Sequence, residues 1–108
     1  MPKQSNVKVM LPSAVERTLV ELGGRLRIAR KRRKQSLEKW AERMQVSIPT
    51  LRKMEAGDPS VSVAAYMTAI WLAGQLQALE QIADPARDEL ALARELQVLN
   101  KPKRKRIE

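Results

Sequence analysis

The 108-residue sequence contains no cysteine and no histidine. The first absence excludes disulfides and thiolate nucleophiles, and the two together remove the imidazole base and the usual zinc ligands. Serine, lysine and carboxylates remain, but they form no recognisable catalytic set, so the chain reads as a non-enzyme with no cofactor and no metal. Phenylalanine is missing too, and aromatics make up only 3%. A core must then be packed from Leu, Ile, Val, Met and Ala, an alphabet that favours helix over sheet. No apolar run is long enough to span a bilayer, and no apolar leader runs to a cleavage site, so a cytoplasmic, nucleoid-associated address is expected.

Positive charge, by contrast, is plentiful. Twenty-one Lys and Arg against 12 Asp and Glu give a net +9, which in a small chain points to a polyanionic partner. Duplex DNA is expected rather than a membrane surface, because the cations are not gathered on one long amphipathic helix. The length allows one compact domain plus an extension.

Along the chain, residues 1–12 lack a helical period and read as an arm. Ser13 and Glu16 match a capping box, followed by Val15, Leu19, Leu22, Leu26 and Ala29 at helical steps. Gly23 and Gly24 weaken this first helix and mark a point where it would kink or restart, though one helix is expected. Ser36 is placed as the cap of a second helix with Leu37, Trp40, Ala41 and Met44 on one face. Gln45 and Val46 leave room only for a turn. Ser47 caps a third helix, Ile48 to Glu55, with Pro49 in its first turn and Gly57 as a left-handed stop. A fourth helix runs from Ser62 to Gly74 with Val63, Tyr66, Met67 and Ile70 at core spacing, and a fifth covers residues 75–83. Asp84 and Pro85 signal the start of a sixth, 86–99, with Asp88 and Glu89 in its first turn. Residues 101–108 form a basic tail expected to be disordered. The expected fold is therefore all-α: a helix-turn-helix domain over 13–83, an additional C-terminal helix over 84–100, and the arm and tail outside them.

Two short helices joined by a turn this tight suit a helix-turn-helix, with small Ala41 allowing a close crossing. On the third helix Leu51 and Met54 point one way, while Ile48, Pro49, Arg52 and Lys53 project the other way. Those four are the candidates for base contact, the cations to guanine and the apolar pair to thymine methyl. The basic run Arg25, Arg27, Arg30, Lys31, Arg32, Arg33 and Lys34 is either a solvated helix face or a phosphate-binding flank; beside a reader helix the second is favoured.

The segments Leu-Gly-Gly-Arg-Leu-Arg, Ser-Leu-Glu-Lys-Trp-Ala-Glu-Arg-Met and Val-Ser-Ile-Pro-Thr-Leu-Arg-Lys-Met-Glu-Ala-Gly, and a following helix ending in Leu-Ala-Gly, resemble the Cro and phage-repressor type of helix-turn-helix over roughly residues 22–74. That resemblance implies a five-helix domain in which Ile48, Pro49 and Lys53 face bases, Ser47 and Thr50 anchor the reader with contacts to phosphate, and Arg30 pairs with Glu55. The position of Leu37 would touch phosphate, yet Leu replaces the usual Gln there. Lys34 and Gln45 stand where glycine is usual. With the string Ala-Asp-Pro-Ala-Arg-Asp further on, the chain also resembles the HipB-like antitoxins. This implies a homodimer on an inverted-repeat operator and a complex with a HipA-family kinase toxin, with or without a further small subunit. Alternatives are a stand-alone regulator with no toxin and a kinase-inhibiting module with little DNA binding.

Trp40 fits a core position. Trp71 lies beside Ile70 and Leu72 on a helix that is apolar on more than one side, so Trp71, Leu72, Leu76 and Leu79 are expected at a dimer interface. Leu92, Leu96 and Leu99 either complete the core of their own domain, the favoured expectation, or dock on a partner. The tail is an extra DNA arm, a partner-binding segment or a solubilising end.

Overall fold

The computed structural model describes residues 10–100. Among them are six α-helices, α1 (Ser13–Arg32), α2 (Leu37–Met44), α3 (Ile48–Glu55), α4 (Val63–Leu72), α5 (Leu76–Glu80) and α6 (Glu89–Asn100), with a short 3-10 turn at Pro85–Arg87 and no strand. The expected arm over residues 1–9 and the basic tail over 101–108 lie outside the described residues. The fold is all-helical.

Serine caps set the starts of the three central helices. Ser36, Ser47 and Ser62 each accept a hydrogen bond from the backbone N–H three residues on, at Lys39, Thr50 and Ala65, each at 3.1 Å. Helix α1 departs from expectation. Ser13 is already its first residue, preceded by Pro12 and without a side-chain cap, so the box with Glu16 is not made: a serine with helical backbone cannot reach its own helix's orphan N–H groups as a flanking residue does.

Four helices end alike, in a left-handed residue followed by a hydrogen bond back across the last turn. These residues are Lys34 (φ 53°), Gln45 (φ 56°), Gly57 (φ 77°) and Gly74 (φ 75°). At the turn between α2 and α3, Gln45 N–H donates to Glu42 O at 3.1 Å and Val46 N–H to Ala41 O at 3.0 Å, closing α2 in the manner of a Schellman motif. Gln45 holds a conformation that costs a side-chain-bearing residue about 1–2 kcal/mol.

Two compact units meet at Leu76 and Gln77. The first holds the whole buried core: Leu26, Trp40, Ala41, Met44, Leu51, Met54, Tyr66 and Ala69, with Leu19, Leu22, Leu37, Val46 and Ile70 packed against it. Helix α3 packs on both α1 and α2, and α2 on α4. Val15 is exposed at the start of the α1 stripe. On α4 the core face is Tyr66 and Ala69; Val63 and Met67, expected inside, are exposed. Small Ala69 allows the close packing that the larger side chains would prevent.

Helix α1 passes unbroken through Gly23 and Gly24, and the two glycines differ completely. A Cβ on Gly23 would lie 2.6 Å from the Met54 carbonyl oxygen and 2.7 Å from the Gly57 nitrogen. A Cβ on Gly57 would in turn lie 2.5 Å from the Val20 Cα. The backbone of α1 and the end of α3 are therefore in direct contact, which only residues without a side chain permit. Around Gly24 there is nothing within 4 Å.

In the second unit α5 is one short helix, five residues long, rather than the expected 75–83. Asp84 and Pro85 start the 3-10 turn, where Asp84 accepts from Ala86 N–H at 2.9 Å. The sixth helix starts later, with Asp88 before its first turn, its carboxylate accepting from Ala91 N–H at 3.1 Å. Two Asp caps four residues apart compete, Asp84 and Asp88, and only the second leads into an uninterrupted run of helix formers. No residue of α6 is buried, so Leu92, Leu96 and Leu99 do not complete a core.

Candidate nucleic-acid interface

At roughly 100° per residue, the buried Leu51 and Met54 define the inner side of α3. Pro49, Arg52 and Lys53 fall on the opposite side, all exposed, with Pro49 central and the two cations flanking it one turn on. Ile48, 37% exposed, lies at the edge of that face. The start of the helix is fixed locally: the Ser47 hydroxyl accepts from Thr50 N–H and donates to Thr50 Oγ1 at 2.8 Å. Both hydroxyls thus hold the first turn of α3 and one of its free N–H groups.

The far end of α3 is held by an ion pair that is almost fully enclosed. Arg30 Nε donates to Glu55 Oε2 at 2.7 Å and its terminal nitrogen to Oε1 at 3.0 Å, a two-pronged contact, while the remaining nitrogen donates to the Gln35 carbonyl at 3.0 Å. The side chains are 8% and 7% exposed. Hydrogen bonding to Glu55 raises the Arg30 pKa and outweighs the opposing effect of burial, with the Glu55 charge adding to the rise. The pair expected from the resemblance is formed, and Arg30 ties the end of α1, the loop after it and the end of α3 together. With the contact of Gly23 on Gly57, this gives the reader helix two anchors at one end.

The structure divides the basic run. The core side of α1 is marked by Leu19, Gly23, Leu26 and Arg30. At roughly 100° per residue, Arg27 lies next to that side and Lys31 further round in the same direction, while Arg25 and Arg32 lie on the reverse face. Arg27 and Arg52 line one recess together with Arg30, Leu37, Glu55 and Ala56. Arg33 is turned elsewhere, donating to the carbonyls of Ala29 at 2.9 Å and Ala73 at 3.1 Å, so it closes the end of α4. Lys34 is exposed at the end of α1. Leu37 packs partly against the core and offers no side-chain donor.

Beyond α3, Asp58 accepts from Ser60 N–H at 2.8 Å, and Tyr66 donates its hydroxyl to the Asp58 carbonyl at 2.7 Å. The hydrogen bonds from Ser60 hold the Asp58 carboxyl below its usual range, against a small effect of burial and with help from the Lys53 charge. Burial, then the Asp58 charge, pushes the Tyr66 hydroxyl up. This braced loop and the glycine contact are absent from the sequence reading. Gly23 is the signal that could have revealed the contact, since a glycine on the apolar stripe of a helix costs stability unless something approaches it.

A short helix with cations on its free side, held across two others by its end, is the arrangement that can enter a DNA groove. Residues 21–90 match the family described as a helix-turn-helix domain. The chain belongs to that family. No curated protein and no solved structure gives a significant match. Membership makes DNA binding the activity of this helix-turn-helix protein, and none of its described helices is long and apolar enough to cross a membrane.

Proposed function

We propose that this helix-turn-helix protein is a sequence-specific repressor that binds an inverted-repeat operator as a homodimer, with α3 as the reader. One observation carries this reading: Pro49, Arg52 and Lys53 are all exposed on the side of α3 opposite Leu51 and Met54. Arg52 and Lys53 contact guanine edges, Ile48 and Pro49 contact thymine methyl groups, and Arg27, Lys31 and Lys34 contact phosphates beside the groove. Ser47 and Thr50 position the start of the reader. Arg33, engaged with Ala29 and Ala73, and Arg32, on the reverse face of α1, are left out of the phosphate set.

The uncharged face of α4 supports dimerisation. Residues 59–79 contain no charged side chain, and Val63, Met67 and Trp71 are 73%, 41% and 59% exposed. A surface of this kind is ordinarily covered by a second subunit. Trp71 leads the dimer contact, joined by the half-buried Leu72 and Leu76; Leu79, expected there from the sequence, belongs to the second unit. The finer reading, an antitoxin of the HipB-like kind that binds a HipA-family kinase, is supported by the resemblance through residues 83–88. Co-production with a HipA-family kinase from the same genome tests that part: a stable complex is expected, and free components would return the protein to a stand-alone regulator.

Selection from a random duplex library tests the DNA reading. Enrichment of a palindromic motif with half-sites about one helical turn apart is expected. Recovery of fragments with no common motif would contradict it, and sedimentation of the wild type as a monomer on and off DNA would contradict the dimer.

A further inference from the structure

We propose that Arg27 and Arg52 jointly grip one phosphate of the DNA backbone in the recess between α1 and the end of α3, so that Arg52 bridges that phosphate and the base edge it reads. The inference deepens the DNA reading above and rests on it.

Arg52 stands at a boundary. At roughly 100° per residue it lies midway round α3 between Pro49, at the centre of the outward face, and Glu55, which is paired with Arg30 of α1. Lys53 lies on the other side of Pro49 and takes no part in the recess, which is lined by Arg27, Arg30, Leu37, Arg52, Glu55 and Ala56. The two cations of the reader therefore have different surroundings, and only Arg52 shares a concavity with a cation from another helix.

Three guanidiniums and one carboxylate give this lining a net charge of +2. Arg30 and Glu55 engage each other, and the last nitrogen of Arg30 donates to the Gln35 carbonyl. Arg27 and Arg52 are exposed and have no hydrogen bond or ion pair among the described residues. Two such cations across one small recess repel each other, and an anion between them adds two attractions. Leu37 and Ala56 bring no side-chain donor, so the guanidiniums hold whatever enters.

Size and chemistry select the occupant. The recess measures about 280 Å³, below the roughly 300–1,000 Å³ of sites that enclose a whole small molecule. It takes one group projecting from a larger molecule. A phosphodiester suits it, because phosphate oxygens match the planar guanidinium fork and the recess adjoins the face of α3 offered to the groove, which backbone phosphates flank. With five N–H donors, Arg52 can give one edge to the phosphate and another to a base, which the compact ammonium of a lysine cannot do in a fixed direction.

A double-mutant cycle on duplex binding tests the grip, since each arginine positions the phosphate for the other. Arg27→Ala and Arg52→Ala together should weaken binding at least about threefold less than the product of the two single losses, whereas the losses from Arg27→Ala and Lys53→Ala should multiply. The same non-additivity is expected on the operator and on random-sequence duplex, because phosphate carries no sequence information. Neutral methylphosphonate linkages placed one at a time along the operator should reveal one position that weakens the wild type several-fold and leaves Arg27→Ala unaffected. Multiplicative losses for Arg27 and Arg52 on both duplexes, or the absence of such a position, would overturn the shared grip. Inorganic phosphate without DNA, at constant ionic strength, should shift the melting temperatures of the wild type and Arg27→Ala alike. A rise confined to the wild type would assign the recess to a free anion and overturn the backbone contact. Unchanged emission from buried Trp40 confirms that each variant is folded. If no operator is selected at all, the repressor reading fails by itself, and the cycle on random-sequence duplex still decides the grip.

Discussion

Residues 10–76 and 77–100 are both helical, yet they differ in what their leucines do. In the first unit each of the first four helices buries one apolar face against the others: Leu26 from α1, Trp40 and Met44 from α2, Leu51 and Met54 from α3, and Tyr66 from α4 share one core. In the second, the leucines of α6 repeat at the same helical spacing and none is buried. The same pattern thus has two outcomes. Periodicity tells which face of a helix is apolar, but not whether its own chain or another molecule covers it. The charge differs in parallel, with excess cations where the groove reader sits and excess acids where the uncovered seam lies.

The largest effects are expected where the first unit anchors its reader. Glu55→Ala leaves the enclosed Arg30 guanidinium without its carboxylate and should cost about 3 kcal/mol in urea unfolding, whereas replacing the pair by Arg30→Met with Glu55→Leu should restore most of it. A loss that the double replacement does not recover would mean that the pair does more than hold α1 against α3. Next comes the contrast between neighbours. Gly23→Ala forces α1 off the end of α3 and should cost about 2 kcal/mol, while Gly24→Ala, pointing into open space, should gain about 0.5–1 kcal/mol. Equal effects at the two positions would remove the backbone contact from the account.

Smaller effects sharpen the same comparison. Gln45→Gly relieves the left-handed turn and should add about 1 kcal/mol to thermal stability without changing DNA preference. The raised pKa of Tyr66 means that its contribution is fully present below the ordinary tyrosine range and is lost as pH rises through its folded value. Alkaline unfolding should therefore lose one step of pH dependence in Tyr66→Phe. Asp58 has the opposite sign: its pKa is lowered, so what it contributes is present above the ordinary carboxylate range and lost on acidification. The smallest effect belongs to the second unit, where Leu96→Glu should change unfolding stability by less than about 0.5 kcal/mol. A loss like that of a core leucine would show that α6 is covered by its own chain.

Much of the first unit was legible because its determinants are local. Ser36, Ser47 and Ser62 cap helices at fixed offsets, Gly57 and Gly74 stop them, and Ala41 and Leu51 keep core spacing. What escaped depends on elements distant in sequence. Val63 and Met67 share the apolar period of α4, but the packing partner chose the side bearing Tyr66 and Ala69. Gly23 read as a weakness because the end of α3 that approaches it lies some thirty residues further along. The basic run read as one flank, whereas its members take separate directions once the helix is wound: Arg30 inward, Arg33 to the end of α4, and Arg32 away from the reader. Asp84 with Pro85 carries a genuine start signal, which opens a 3-10 turn instead of the helix.

The most direct test of the account is the sequence preference of single alanine variants across a set of operator mutants at two salt concentrations. Lys53→Ala should flatten the preference at one position of each half-site, by about 1–3 kcal/mol, with the rest of the motif intact. Arg27→Ala should weaken all sequences alike and reduce the salt dependence. If instead Lys53→Ala lowers affinity uniformly while Arg27→Ala changes which sequence is preferred, the outward face of α3 is not what reads the operator.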